Sequence, residues 1–491
     1  MAWFDWWRGG QARRERNPAR VAFSRQVRAA FDGATKSRRS AGWRAVGTSA
    51  DAEIGKAGVV LRNVARDMVR NVPIAARAQQ MIANNVVGTG IVPAIRGRDG
   101  FVKRVDPLLI EHLDTPNIDA NGRTDLYGIE AGIVAAVAVD GEVLVRRRWR
   151  RPEDRLPLPF QLQVLEIDHL DTSIDGPIGT GFAVQGIEFD LLGRRVAYHL
   201  FDEHPGAWSR YTLPQSRRIP ASEVAHVYRQ DRAGQMRGAS WFAPVIMRMR
   251  DQADASDAHL MRFKIAACYA AFVKGGDEEQ DPDDLEDVDG DDRLTALGPG
   301  IVEYLRQGEE VTFGTPPQVG DYGPYMRAIG QEIAAGLGLT YEGLYGNYAD
   351  VNFSSGRMGW LEFQRNVAAW QNHMMIPSLC RPVQRWTMEA VAVRLGSSEG
   401  LDWSWTPPRR EMISPVDEIP AIRDAIRSGL SSRSTEVRKL GYDPEAIDAE
   451  NAADNERADS MKLAFDSDGR RSLKAGAAQQ TGNENAQKPA R

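Results

Sequence analysis

Apolar residues recur every three to four positions from Glu53 to Val87, at Ile54, Leu61, Val64, Met68, Ile74 and Ile82. That spacing predicts amphipathic helices, interrupted at Pro73 because proline has no amide hydrogen to donate. The period then shortens to two. "GEVLVRRRWR", "PFQLQVLEIDHLDT", "VQGIEFDLLGRRVAYHLFDE" and "SEVAHVYR" predict strands, with "LLGR" as a hairpin turn. The alternating run Arg146 to Arg151 predicts a solvated strand face. From Ser240 to Val273 a spacing of three and four returns, at Ile246, Met249, Ala253, Ser256, Leu260, Phe263, Ala267 and Ala270. It predicts a single helix of about 30 residues with a narrow, small-residue seam. Asp251, Asp254 and Asp257 fall on another face of that helix.

Downstream, "GIVEYL" and "EEVTFG" read as short strands. A helix from Tyr322 to Leu337, with Met326, Ile329, Ile333 and Leu337 along one side, ends at the glycines of "GLGLT". A further long helix carries Trp360, Phe363, Val367, Trp370 and Met374, then Leu379, Val383, Trp386, Ala390 and Val393 beyond Pro377. The phase slips across the proline, which predicts a bend. "VDEIPAIRDAIRSGL" and "SSRSTEVRKLG" predict short helices, and the chain as a whole reads as α+β. Between the last two long helices sits "GNYADVNFSSGRMGW", small, polar and nearly uncharged. Gly346, Ser354, Ser355 and Gly356 are small; Asn347 and Asn352 are neutral and polar; Asp350 and Arg357 are its charges. Tyr348 and Phe353 are expected to pin the base of this loop against the flanking helices.

A chain of 491 residues with 42% hydrophobic content has room for two to four domains. Its formal charge of -5 gives no global attraction to nucleic acid, but charge is unevenly spread. Residues 1–50 carry eleven Lys and Arg, from Arg8 to Arg44, against Asp5, Glu15 and Asp32, which predicts a basic arm that orders against a partner. "DEEQDPDDLEDVDGDD", Asp277 to Asp292, is densely acidic, and the Gln- and Asn-rich tail from Ser467 is expected to be disordered. Two cysteines, Cys268 and Cys380, exclude a disulfide framework or a four-thiolate metal site. No uncharged apolar run approaches the ~20 residues a membrane span needs.

The search for chemistry returns nothing specific. "DGATKS" lacks the first glycine of a phosphate loop, the seven histidines stand singly, "FSSG" lacks the frame of a nucleophile elbow, and Gly290 is misplaced for a calcium loop. No catalytic residue, metal ligand or cofactor site is expected.

Two long runs carry a resemblance. "RIPASEVAHVYRQDRAGQMRGASWFAPVIMRMRD" and "IAAGLGLTYEGLYGNYADVNFSSGRMGWLEFQRN" look like the portal proteins of lambda-like tailed bacteriophages. "ARDMVRNVPIAARAQQMIANNVVGTGIVP" and "LQVLEIDHLDT" are similar to the same family in the same order, so the likeness spans roughly residues 40–465. It implies a ring of about a dozen subunits at one capsid vertex, with double-stranded DNA passing through its axis. It also implies a basic arm (1–50), an α/β wing (51–240), a stem helix (241–274), a clip holding the acidic insert (275–315), and a second stem helix (316–338). A tunnel loop (339–356), a long bent helix with the wing end (357–402), a helical crown (403–470) and a tail (471–491) complete the expectation.

On that resemblance the expected partners are further copies of the chain, DNA, the terminase large subunit, the head-tail connector, and the major capsid and scaffold proteins, with no membrane. The protein would reside in the virion and assemble in the host cytoplasm. Asn347, Tyr348, Asp350, Asn352, Phe353, Ser354, Ser355 and Arg357 would face DNA from the tunnel loop, and Asp251, Asp254 and Asp257 would line the channel. The protein would not be an enzyme. The alternatives are a DNA-processing nuclease with scattered carboxylates, or another minor capsid protein.

Overall fold

Pro73 opens the second helix where its missing amide costs nothing, so the first expected break is also a start signal. In the computed structural model the described residues are 38, 41–42, 46–207, 215–267, 271–274, 310–313, 322–408 and 412–463. The chain divides into Met1–Ala52 and Glu53–Arg491. In the first unit the Ser49 hydroxyl accepts from Ala52 N at 3.3 Å. The basic arm apart from a few residues, the acidic run Asp277–Asp292, "GIVEYL", Cys268 and the tail lie outside the described residues.

Helices α1 (Ala50–Asn71) and α2 (Pro73–Val86) are followed by β1 (Val92–Arg96), α3 (Asp99–Leu113) and α4 (Leu126–Asp140). α4 is apolar on nearly every side and is buried accordingly, from Leu126 through Ile133 and Val137 to Val139. Asp125 caps it by accepting from Gly128 N at 2.8 Å. Gly141 ends it at φ +92, and a Cβ there would stand 2.3 Å from the Ala239 carbonyl carbon. Glycine is required at this position both by backbone angle and by space.

The strands follow: β2 (Glu142–Trp149), β3 (Phe160–Glu166), β4 (Gly176–Ile178), β5 (Gly181–Val184), β6 (Ile187–Phe189), β7 (Arg195–Phe201), β8 (Ser216–Pro220) and β9 (Val224–Tyr228). They make an antiparallel sheet in the order β3-β2-β9 and another in the order β4-β5-β6-β7-β8. Alternation sorts the first sheet's side chains: Val143 and Val145 join the large helical core, while Leu144 joins the smaller core under the five-stranded sheet. The β6–β7 hairpin turns at Gly193 as expected. Of the arginine run, Arg146, Arg148 and Arg150 are partly exposed and Arg151 is exposed, but Arg147 departs from the solvated face expected. Arg147 is buried, ion-paired to Glu389, and lies 4.6 Å from the Trp149 ring and 5.8 Å from the Trp386 ring. A guanidinium is buried this way when its alkyl stem packs and its charge finds a partner.

Helix α5 (Ile246–Ala267) is shorter at both ends than the 3,4 spacing implied. Trp241 and Phe242 enter the core through tight turns before Pro244, and the chain beyond Ala267 becomes β10 (Ala271–Lys274), paired antiparallel with β11 (Glu310–Phe313). A short Ala- and Val-rich run fits helix or strand equally, and the distant partner strand decides. Met249 of the seam is buried, but Leu260 and Phe263 are exposed.

α6 (Tyr322–Leu337) has the expected bounds, with Ile329, Ile333 and Leu337 buried. A short α7 (Tyr341–Tyr345) precedes α8 (Phe353–Trp370), which runs through a wider-wound segment, Gln371–Cys380, into α9 (Arg381–Leu395). The phase slip is this segment. The step from Met374 to Leu379 is five residues, and Arg381 N donates to Ile376 O, the i to i-5 bond of a π turn around Pro377. Val393, expected in the seam, is exposed, and Val391 is buried instead. β12 (Asp402–Thr406) pairs with β1, with Trp403 opposite Ile95, so residues assigned to the crown begin inside a sheet with the wing. α10 (Pro415–Arg427), α11 (Arg433–Lys439) and α12 (Pro444–Ser460) follow.

Candidate functional site

Thr340 caps α7 by accepting from Gly343 N, and Gly346 ends it at φ +68. Six residues later comes Asn352, the N-cap of α8. Asn352 Oδ1 accepts from Ser355 N at 2.8 Å while Ser355 Oγ accepts from Asn352 N at 3.2 Å, a reciprocal capping box. The free loop is therefore only Gly346–Asn352. Asn347, Tyr348 and Asp350 lie in it, whereas Phe353, Ser354, Ser355 and Arg357 belong to the first turns of α8. An Asn followed three residues later by a Ser, just ahead of an apolar seam, is the signal that marks this helix start.

Tyr348 and Phe353 do not pin the loop. Both are about 60% exposed. The loop folds on itself, with Ala349 N donating to Asn347 Oδ1 and Val351 N to Tyr348 O, both at 3.2 Å. One side chain ties it elsewhere: Asp350 Oδ2 accepts from Arg327 Nη2 of α6 at 2.5 Å. Sequence reading missed Arg327, since a lone arginine on the polar side of an amphipathic helix looks like any solvated cation. Below the loop lies a cleft of about 530 Å³, lined by Arg77, Asn85, Arg327, Glu342, Tyr348, Asp350 and the first turns of α8.

The three acids on α5 do not form a bare negative wall. Asp251 sits 3.5 Å from Arg248, and Asp254 sits 3.7 Å from Arg250, while Arg248 also reaches Glu332 of α6 at 3.1 Å. Asp257 is exposed. The face is striped with both signs, and among the described residues no hydrogen bond or ion pair joins these acids to the loop.

Two further clusters of charged groups are paired internally. Glu142, His226 and Arg237 form a buried cluster: Arg237 Nη2 donates to Glu142 Oε1 at 2.6 Å, and His226 Nε2 lies 2.9 Å from Glu142 Oε2. Burial pushes the Glu142 carboxyl up, yet the Arg237 charge and hydrogen bonds from His226 and Arg237 outweigh it and hold it below the usual carboxylate range. Glu166, Asp168 and His204 bring ligand atoms within 4.8 Å of one another. Arg66 Nη2 stands 2.9 Å from each carboxylate and Arg62 2.7 Å from Asp168, so cations already compensate the acids. Among the described residues no helix is long and apolar enough to cross a membrane.

The sequence pattern of the family described as "Phage portal protein, lambda family" matches residues 36–371. The chain belongs to this family. Its relatives include the probable portal protein of Halomonas phage phiHAP-1, 26% identical over 85% of this chain and 84% of the relative. The portal protein of Escherichia phage N15 is 25% identical over 83% and 86%, and portal protein B of Escherichia phage lambda is 25% identical over 79% and 81%. Among solved structures, a chain from the neck of a native gene transfer agent particle, computed with C12 symmetry, is similar at TM-score 0.46 and 14% identity. The overlap covers 79% of this chain and 94% of that one.

Proposed function

We propose that this portal-family chain assembles with copies of itself into a ring of about a dozen subunits at one vertex of the phage head. Double-stranded DNA passes through its axis on packaging, is retained there, and leaves by the same route on ejection. The ring docks the terminase large subunit during filling and the head-tail connector afterwards, and meets the major capsid and scaffold proteins as it is built in the host cytoplasm. It performs no chemistry itself. In this reading residues 51–240 are the wing, α5 and α6 the stem, 275–315 the clip, Gly346–Asn352 the tunnel loop, and 403–470 the crown.

Family membership over residues 36–371 carries the proposal. The exposed apolar side chains of α5, Met247, Leu260, Met261 and Phe263, support it, since a lone subunit leaves them in water. So does the loop, whose one acid is neutralised by Arg327. Retained cations would grip phosphates of any sequence and oppose sliding, and this loop presents none of its own. The test is a head-packaging assay with residues 347–351 deleted, which spares the cap at Asn352. Rings should persist while the DNA packaged or retained per head falls. Full-length genomes at normal yield from that deletion would contradict the loop's role.

A further inference from the structure

The cleft beneath the loop contains a cation that already holds an anion. Arg327 of α6 and exposed Arg77 of α2 both line it, with Ser355 and Gly356 from the first turn of α8. Asp350 Oδ2 sits 2.5 Å from Arg327 Nη2, and both partners are solvent-accessible, 66% and 43%. An ion pair that exposed is weak, screened by salt and open to exchange. Asp350 takes a single hydrogen bond from Arg327 Nη2 among the described residues, whereas a phosphate, like a well-placed carboxylate, can accept two charge-assisted hydrogen bonds from a guanidinium in matching geometry. The cleft's other acid is Glu342, so removing Asp350 from the site leaves two arginines facing one carboxylate.

We propose that Arg327 is a binding residue for the phosphate backbone of duplex DNA, and that Asp350 is its resident competitor. A backbone phosphate takes the carboxylate's place, and the loop then loses the side chain that ties it to α6. Gly346, at φ +68 with open space around its α carbon, and the extended cap position Asn352 are the ends about which the freed loop turns. In the absence of a nearby phosphate Asp350 masks Arg327, so the arginine nearest the loop is exposed to phosphate only when the carboxylate is displaced. This inference rests on the DNA-facing reading of the loop.

The test is a double-substitution cycle on duplex affinity. The full chain and its Asp350→Asn, Arg327→Gln and doubly substituted forms are titrated with a fluorescent, random-sequence DNA duplex at several salt concentrations, with binding read by anisotropy. Asp350→Asn should bind several-fold more tightly than the parent, and that gain should vanish when Arg327→Gln is present. An equal gain in both backgrounds would show that Asp350 acts by general repulsion, which overturns the competitor role and leaves the loop's DNA-facing position standing. Unchanged duplex affinity in all forms would overturn the DNA-facing reading itself, and this inference with it.

Discussion

Glu142 shows what a single buried charge commits the fold to. Its carboxylate accepts from Arg237 Nε and Nη2 and from Gly238 N, and faces His226, all inside the protein. Glu142→Gln would take from the buried Arg237 charge the counter-ion that Glu142 supplies, so the full chain should lose about 3 to 5 kcal/mol in denaturant unfolding. A loss below about 1 kcal/mol would mean that water compensates Arg237. His112 gives a pH dependence with a defined sign. Burial beside Phe160 lowers its pKa to about 4 from an ordinary value near 6.5. The unfolded chain therefore binds a proton that the folded chain refuses, and stability falls as pH drops from about 6.5 to 4, by about 3 kcal/mol at the lower end. His226, also lowered to about 4, adds a loss of the same sign in the same window. Thermal unfolding between pH 4.5 and 7.5 should thus be less steep in acid for His112→Leu than for the parent. Identical pH profiles would remove His112 from the account.

Elements were legible where periodicity alone decides and illegible where a partner decides. α6 has the ends that its apolar side and following glycines imply, and the proline phase slip marks the π turn at Gln371–Cys380. The end of α5 was hidden because Ala271–Lys274 becomes a strand only through its pairing with Glu310–Phe313. Arg147 was misread for a similar reason: the helix that supplies Trp386 and Glu389 lies far along the chain. At the candidate site the loop's neutrality was readable, but Arg327 was not, and the loop's length was overestimated because the Asn352–Ser355 cap passed for loop polarity. That cap yields a prediction. Asn352→Ala should cost about 1 kcal/mol of stability, as loss of a helix cap does, while removing residues 347–351 should cost less because no cap is lost. A deletion of Val351–Ser355 would confound the two effects. If Asn352→Ala unfolds at the parent's midpoint, the cap contributes nothing to the fold.

At the scale of the whole molecule, α5 is the element that a solitary chain explains least. Met247, Leu260, Met261 and Phe263 are each more than half exposed, on a helix where Arg248, Arg250, Asp251 and Asp254 are paired along its length or to α6. A helix presenting that much apolar surface is stabilised by covering it, and in the proposed ring the neighbouring subunit does so. Leu260→Asp with Phe263→Asp should leave the chain folded and prevent assembly, because both positions face water in the subunit. The most direct measurement is negative-stain imaging of the purified full chain at micromolar concentration and physiological salt, without nucleotide, paired with its mass in solution. The account predicts closed rings with a central channel and a mass many times 54.4 kDa. A monodisperse population at the subunit mass, with no rings, would contradict it.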